Sequence, residues 1–362
     1  MFLNIVKNSK NQSYGCEIFG YGHTSATDDP RFKIVSQVEF LNNYISDNSK
    51  SEIFKHSPPF SEPEINAKAE EAIKKIGFET RTFFSGPVED LAIIAAQKCL
   101  NTTGLLPSDL GAIIVGSNTG PGYPSMADHV KNGLSVLYKN SSNGQSNAMC
   151  YDITEACTVG SIAIFNGWNL ITNGICDNVL VILSEKGTAL ANPDEWTSSN
   201  LFGDAASALL LIRSRKEDES FIFFDIDSIP YDGNLTAICK NNDNYFSQDT
   251  RKVQRFVGRT VSEFLYNSIK KAGLSAKDIN HVISHQPSKK TLDFLEEYID
   301  KEIPELTGKL HRDLVGTGNT SSVSTPALIS KLITQGKIKR GDVILVTTFG
   351  AGTSIGNYAF KY

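Results

Sequence analysis

The feature that most constrains the fold is a stretch that occurs twice. Gly104-Leu105-Leu106-Pro107-Ser108-Asp109-Leu110 leads into the apolar run Ala112-Ile113-Ile114-Val115-Gly116, and Gly273-Leu274-Ser275-Ala276-Lys277-Asp278-Ile279 leads into His281-Val282-Ile283-Ser284-His285. The two align without a gap, Gly104 against Gly273, an offset of 169 residues. A second pair lies close to that register. A helical pattern begins at Cys157 and is followed by the strand-like run Asp177–Leu183; another begins after Asn319 and is followed by Gly341–Val346, Cys157 and Asn319 lying 162 residues apart. The motif Gly-Leu-x-x-x-Asp-Ile also precedes strands in α/β proteins that are not duplicated. Two pairs in the same order at similar spacing indicate an internal duplication of a helix–strand–helix–strand unit. The implied halves are residues 1–215 and 216–362, each a buried sheet flanked by helices. Phe202–Leu211 closes the first half and Phe221–Asp227 opens the second. Helical patterns span Glu62–Lys75 and Val88–Leu100, while residues 1–60 read as an irregular or partly helical cap with a break at Ser57-Pro58-Pro59.

Charge and composition remove several function classes. A net charge of -5 and a pI near 5.8, with no basic stripe, argue against a nucleic-acid partner. The six cysteines show neither CxxC spacing nor disulfide-scaffold density, which fits a reducing cytoplasm. Met1–Asn8 lacks the apolar core of a signal peptide, and no apolar run reaches the ~18 residues that span a bilayer, so neither export nor membrane insertion is expected. The six histidines have no HxxxH-type spacing, so no metal site is expected. Gly116-Ser117-Asn118-Thr119-Gly120-Pro121-Gly122 is glycine-rich after a strand, but Pro121 and Pro124 break the helix that a pyrophosphate site needs.

In a duplicated fold, equivalent strand and helix ends converge at the seam. Cys157 follows the strand-like run Met149–Ile153 and begins a helix, where unpaired N–H groups favour thiolate. Asn319 begins the counterpart, and His285 ends the strand His281–Ser284. The turn in Thr347–Ser354, with Gly350 and Gly352, can bring backbone N–H groups to a ligand oxygen. Singly, these are a buried thiol, a hydrogen-bonded core histidine, a helix cap and turn glycines; jointly they outline a nucleophilic site.

Glu155-Ala156-Cys157, Ser284-His285-Gln286-Pro287-Ser288, Gly318-Asn319-Thr320-Ser321 and Phe349-Gly350-Ala351-Gly352, with Phe202-Gly203-Asp204 as a fifth signature, resemble the β-ketoacyl-ACP synthase III (FabH-like) branch of the thiolase superfamily from about residue 62 onward. The resemblance implies the duplicated five-layered αβαβα thiolase fold and a homodimer. It makes Cys157 the nucleophile that takes an acyl group from CoA or an acyl carrier protein, with no other cofactor. It gives His285 and Asn319 as donors to the thioester carbonyl of a malonyl or β-ketoacyl unit, and the N–H groups of Cys157 and Ala351 as the oxyanion hole. It places Tyr123, in Gly120-Pro121-Gly122-Tyr123-Pro124, on a loop reaching the partner's acyl pocket, and Lys290 near the CoA phosphates. This chain carries Glu79 where the housekeeping enzymes have an arginine, and its N-terminal segment is longer, which together suggest a specialised lipid or polyketide enzyme. Two alternatives are an acyltransferase to an alcohol or amine without C–C bond formation, and an inactive scaffold partner of a related synthase.

Overall fold

The computed structural model describes residues 5–7, 13–47, 60–139, 145–192, 199–228, 238–240 and 245–362. The chain runs through β1 (Ile5–Lys7), β2 (Gly15–His23), β3 (Phe32–Ser36), α1 (Gln37–Asp47), α2 (Glu62–Ile76), β4 (Thr80–Phe84), α3 (Val88–Thr103), β5 (Ala112–Gly116), α4 (Met126–Leu137), β6 (Met149–Ile153), α5 (Val159–Thr172), β7 (Asn178–Lys186) and β8 (Asp204–Ser214). It continues through β9 (Phe221–Ser228), β10 (Ile238–Lys240), β11 (Phe246–Gln248), α6 (Thr250–Arg255), α7 (Ser262–Ala272), β12 (His281–Ser284), α8 (Lys289–Glu302), β13 (Leu310–His311), α9 (Ser324–Thr334), β14 (Val343–Gly350) and β15 (Ser354–Lys361).

The repeat is visible in the sheets. One has the order β2-β8-β7-β5-β6, and the other has β9-β15-β14-β12-β13 with β1 added outside β9. In each, the strand of the repeated motif, β5 or β12, pairs in parallel with the strand that follows the inner helix, β7 or β14. That strand pairs antiparallel with the next, β8 or β15. β5 is a continuous apolar run buried throughout, and β12 buries Val282, Ile283 and Ser284 in the same way, because both sheet faces are covered.

The packing forms five layers. The core between the sheets joins Val159, Ala163, Ile164, Trp168 and Ile171 of α5 and Leu328, Ile329, Leu332 and Ile333 of α9 to inward-facing residues of both sheets. α3 and α4 cover the outer face of the first sheet, with Leu91, Ala95, Val130 and Leu134 packed on Ile113, Leu180 and Leu210. α7 and α8 cover the second, with Leu265, Ile269, Leu295 and Ile299 on Val282 and Leu345. α5 carries no charged residue and is apolar on almost every side because sheets lie on both sides of it.

The N-terminal segment is more ordered than its polar sequence suggests. β2 forms an edge of the first sheet in register with β8, with a shift between Ile18 and Gly20, and β3 pairs with β4. The glycines of β2 and that bulge interrupt its alternation, and this hides the strand from a period-two reading. Ser57-Pro58-Pro59 lies outside the described residues.

The halves are stitched at Phe202-Gly203. Phe202 bridges Asn319 in parallel, and the Gly203 N–H donates to Asn319 O at 3.1 Å. A Cβ on Gly203 would stand 1.8 Å from Thr317 O, a backbone atom that cannot move without breaking this seam. Gly203→Ala is therefore expected to destabilise the protein by about 3 kcal/mol, read as a lower midpoint in urea unfolding with little change in slope.

Candidate active site

The site is built at the N-terminal ends of α5 and α9. Each helix is preceded by a single 3₁₀ turn, Ala156–Thr158 before α5 and Ser321–Val323 before α9. The first residue of each turn, Ala156 at φ 44° and Ser321 at φ 52°, is left-handed, and among the described residues no other non-glycine residue is. Such positions cost of order 1–3 kcal/mol and cluster where geometry serves a function. The two turns also correct the repeat alignment. They begin 165 residues apart, so Cys157 is equivalent to Ser322, and Asn319 lies three residues earlier than the position matching Cys157.

Cys157, His285 and Asn319 converge on the turn before α9. Cys157 Sγ lies 3.4 Å from Ser321 Oγ. The Ser321 N–H donates to Asn319 Oδ1 at 2.8 Å. This fixes the orientation of the amide and leaves its donor end, Nδ2, without a protein partner among the described residues. His285 Nδ1 lies 2.8 Å from Ser324 Oγ, whose hydroxyl is also 2.9 Å from Ser321 O. The imidazole is pressed edge-on against Phe349, with ring centroids 5.4 Å apart. Both His285 and Asn319 are buried.

Burial dominates the electrostatics. The Cys157 thiol is pushed up to about 12 by desolvation; the Ser321 hydroxyl acts in the opposite direction and the Glu185 charge adds to the rise. The expectation of a thiol made acidic by its helix end is thus corrected: the local fields do not offset the loss of water. His285 is driven down to about 3 by burial, with the Ser321 carbonyl acting weakly against it. With the Ser324 hydroxyl turned to donate to Nδ1, the neutral imidazole carries its proton on Nε2, and beside the Asn319 amide it gives the site two donors without a full charge that resists desolvation.

The end of β14 meets the nucleophile from the other side. Gly350 packs so closely that a Cβ there would come within 2.8 Å of Cys157 N; Ala351 follows it in the turn between β14 and β15. Tyr123 and Lys290 are not gathered into this cluster. Tyr123 is 97% exposed on the loop before α4, and Lys290 is exposed in the first turn of α8. Sequence reasoning did not single out Ser324 or Glu185, the latter a buried carboxylate on β7. No spacing marks them, since their contacts join segments far apart in the chain. Among the described residues no group of three or more His, Cys, Asp or Glu side chains is placed to hold a metal, and no helix is long and apolar enough to cross a membrane.

A duplicated five-layered αβαβα fold with a cysteine at its seam defines a thiolase-type enzyme. The 3-oxoacyl-[acyl-carrier-protein] synthase III family matches at residues 151–230, and the C-terminal part of that synthase matches at 269–362. The β-ketoacyl-[acyl-carrier-protein] synthase III of Clostridium perfringens is 29% identical over 285 residues, covering 75% of this chain and 84% of the relative. One of the synthases III of Halalkalibacterium halodurans is 27% identical over 304 residues, covering 83% and 92%. The crystal structure of the Aquifex aeolicus 3-oxoacyl-[acyl-carrier-protein] synthase III superposes with a TM-score of 0.79 at 24% identity, covering 96% of this chain and all of that one. The priming β-ketosynthase of the R1128 polyketide pathway gives 0.76 at 19% identity, covering 97% of each chain. The chain belongs to the β-ketoacyl-ACP synthase III (FabH-like) branch of the thiolase superfamily and is a condensing acyl-transferring enzyme of that type.

The buried neutral imidazole has a consequence for acid stability. Its folded pKa lies below its unfolded value, so its contribution is fully present above the unfolded pKa near 6.5 and is lost as pH falls toward about 3. Imidazole NMR of the unliganded protein should show the His285 ring signal constant from pH 8 to 5, whereas titration with a midpoint near 6.5 would contradict this reading of the site.

Proposed function

We propose that the chain condenses an acyl group held on Cys157 with a malonyl-thioester, losing CO₂, or with a β-ketoacyl-thioester, losing its acidic C2 proton to solvent, in specialised lipid or polyketide synthesis. The acyl group arrives as a CoA or carrier-protein thioester, and no further cofactor takes part. Attack by Cys157 sulfur on the thioester carbonyl forms the acyl-enzyme and expels the carrier thiol, which takes up the proton. The tetrahedral oxyanion faces the N–H groups of Cys157 and Ala351; loss of one such donor typically slows acyl transfer by ~10²–10³. His285 and Asn319 Nδ2 then hold the carbonyl of the extender. Loss of its CO₂ or C2 proton places negative charge on that oxygen, and the resulting enolate carbon attacks the acyl carbonyl and frees the Cys157 sulfur.

The observation that carries this reading is the Asn319–Ser324 turn. It keeps the amide donor end of Asn319 free, seats His285 in neutral form, and meets the Cys157 sulfur. Transfer to an alcohol or amine needs no second donor beside the histidine, so a buried Asn319 with its Nδ2 unpartnered favours condensation over that alternative. An intact thiol in such a pocket speaks against a silent scaffold.

The remaining assignments follow the same reading. Tyr123 crosses to line the acyl pocket of a second copy, and Lys290 lies near the CoA phosphates. The homodimer forms along β6, the outer edge of its sheet, near which Met149, Val136 and Leu137 are exposed; an unpaired edge beside exposed apolar groups invites a partner. The protein works in the cytoplasm, consistent with its free described cysteines.

Intact-mass measurement after incubation with a panel of acyl-CoA and acyl-carrier-protein thioesters is expected to show one acyl adduct, absent in Cys157→Ala. His285→Ala and Asn319→Ala should still acylate, yet release CO₂ from malonyl thioester at least about a hundredfold more slowly. Acylation without CO₂ release in the unaltered enzyme would leave the alcohol or amine transferase standing, and no adduct with any thioester would leave the scaffold. Sedimentation should give the mass of a dimer.

A further inference from the structure

Glu185 is the eighth residue of β7, and Gly350 is the eighth residue of β14, its counterpart in the other half. Each stands where its strand meets a 3₁₀ turn of the opposite half. Gly350 abuts Cys157, and Glu185 abuts Ser322, the residue equivalent to Cys157. The duplication therefore created two related niches. A glycine leaves one open against the nucleophile, and a carboxylate fills the other.

That carboxylate is fully buried and heavily bonded. Oε1 accepts from Asn118 Nδ2 at 2.6 Å and Ser322 Oγ at 2.7 Å, and Oε2 accepts from Asn118 N at 3.0 Å and Thr119 Oγ1 at 3.1 Å. No cation pairs with it among the described residues. Asn118 Nδ2 also donates to Ala156 O at 2.9 Å, so one amide joins Glu185 to the backbone immediately before Cys157. Through Ser322 the same oxygen grips the turn that presents Ser321 to the Cys157 sulfur.

We propose that Glu185 is a positioning residue whose carboxylate ties the Cys157 turn to the Asn319 turn and whose charge keeps the resting nucleophile a thiol. Its place in the reaction rests on the condensing function above. The other ionisable groups near Cys157 are Glu155 on its own turn and His285, which is neutral. The elements packed on that turn are α5, β14, β15 and the turn before α9, and of these only β15 carries a charge, Lys361 at its far end. Burial pushes the Glu185 carboxyl up, and the hydrogen bonds from Ser322, Asn118 and Thr119 oppose that rise by favouring the ionised form; the ionised carboxylate meets no nearby cation among the described residues that would cancel its effect on the sulfur, and little solvent screens it.

Glu185→Gln preserves the shape and an oxygen for Asn118 and Ser322, and removes the charge. Ser322→Ala keeps the charge and cuts one tie. Carboxymethylation of Cys157 by iodoacetate, followed by mass without any thioester, should be several-fold faster in Glu185→Gln between pH 7 and 9, and unchanged in Ser322→Ala. Condensation should slow roughly tenfold or more in both, as misplacement of reacting groups predicts. Equal or slower alkylation in Glu185→Gln, faster alkylation in Ser322→Ala, or condensation at the original rate in either variant overturns the proposal. If Glu185→Gln does not fold, the two Ser322→Ala measurements decide. The alkylation arm uses no substrate, so failure of the condensing reading in the unaltered enzyme is seen separately.

Discussion

Everything in this molecule depends on the burial of α5 and α9 between the two sheets. Neither helix has a solvated face wide enough to stand alone, and each completes the core of both halves. Because the sheets repeat one strand order, the two helices enter this layer in equivalent ways, and their N-terminal turns arrive side by side. The meeting of Cys157, His285 and Asn319 is thus a result of core packing. A change that shifted either helix within the layer would separate the sulfur from Ser321 well before it unfolded a sheet.

The same packing decides the electrostatics. A helix N-terminus stabilises an anion by about 0.3–1 kcal/mol, and by about 2 kcal/mol at most. The displacement of the Cys157 thiol from 9.0 to about 12 corresponds to roughly 4 kcal/mol in the other direction. Desolvation wins, and it does so for His285 as well, with the opposite sign of charge. The site joins a partly buried thiol to a buried neutral imidazole and oriented donors. It suits an anion that forms only during a reaction better than one already present at rest, because donors fixed in low dielectric act most strongly on charge that develops between them.

How much of this could be read beforehand follows from the same physics. Strands covered on both faces favour apolar residues at successive positions, so β5 and the Val282-Ile283 centre of β12 stand out, and β6 has the predicted limits Met149–Ile153. α2 and α3 extend their expected spans by one and three residues at most, ending at Gly77 and Gly104 in left-handed conformation. The segment before residue 60 was obscure because β2 draws its stability from β8, nearly two hundred residues away, and shows little of it in its own alternation. At the site, the three reactive residue types were legible. The pairing of Cys157 with Asn319 as equivalents was off by three positions, since loop lengths differ between the halves. Ser324 and Glu185 were invisible because a serine or glutamate acquires meaning only through contacts, 137 residues apart for Glu185 and Ser322.

The duplication also explains why there is one site and not two. Symmetric helix ends could have offered a nucleophile in each half, yet Cys157 has Ser322 as its equivalent and Gly350 has Glu185. A side chain opposite Cys157 would strike its amide nitrogen, so that niche must hold a glycine if an oxyanion is to enter. The other niche is under no such demand, and an empty polar cavity there would leave Asn118, Thr119 and Ser322 with unmet donors, each costing of order 1–3 kcal/mol. A carboxylate answers all of them at once. Its burial without a cation is tolerable because every hydrogen bond it receives comes from groups that would otherwise be stranded. The open niche and the filled one are therefore complementary outcomes of one duplicated geometry, and the filled one holds the open one in shape.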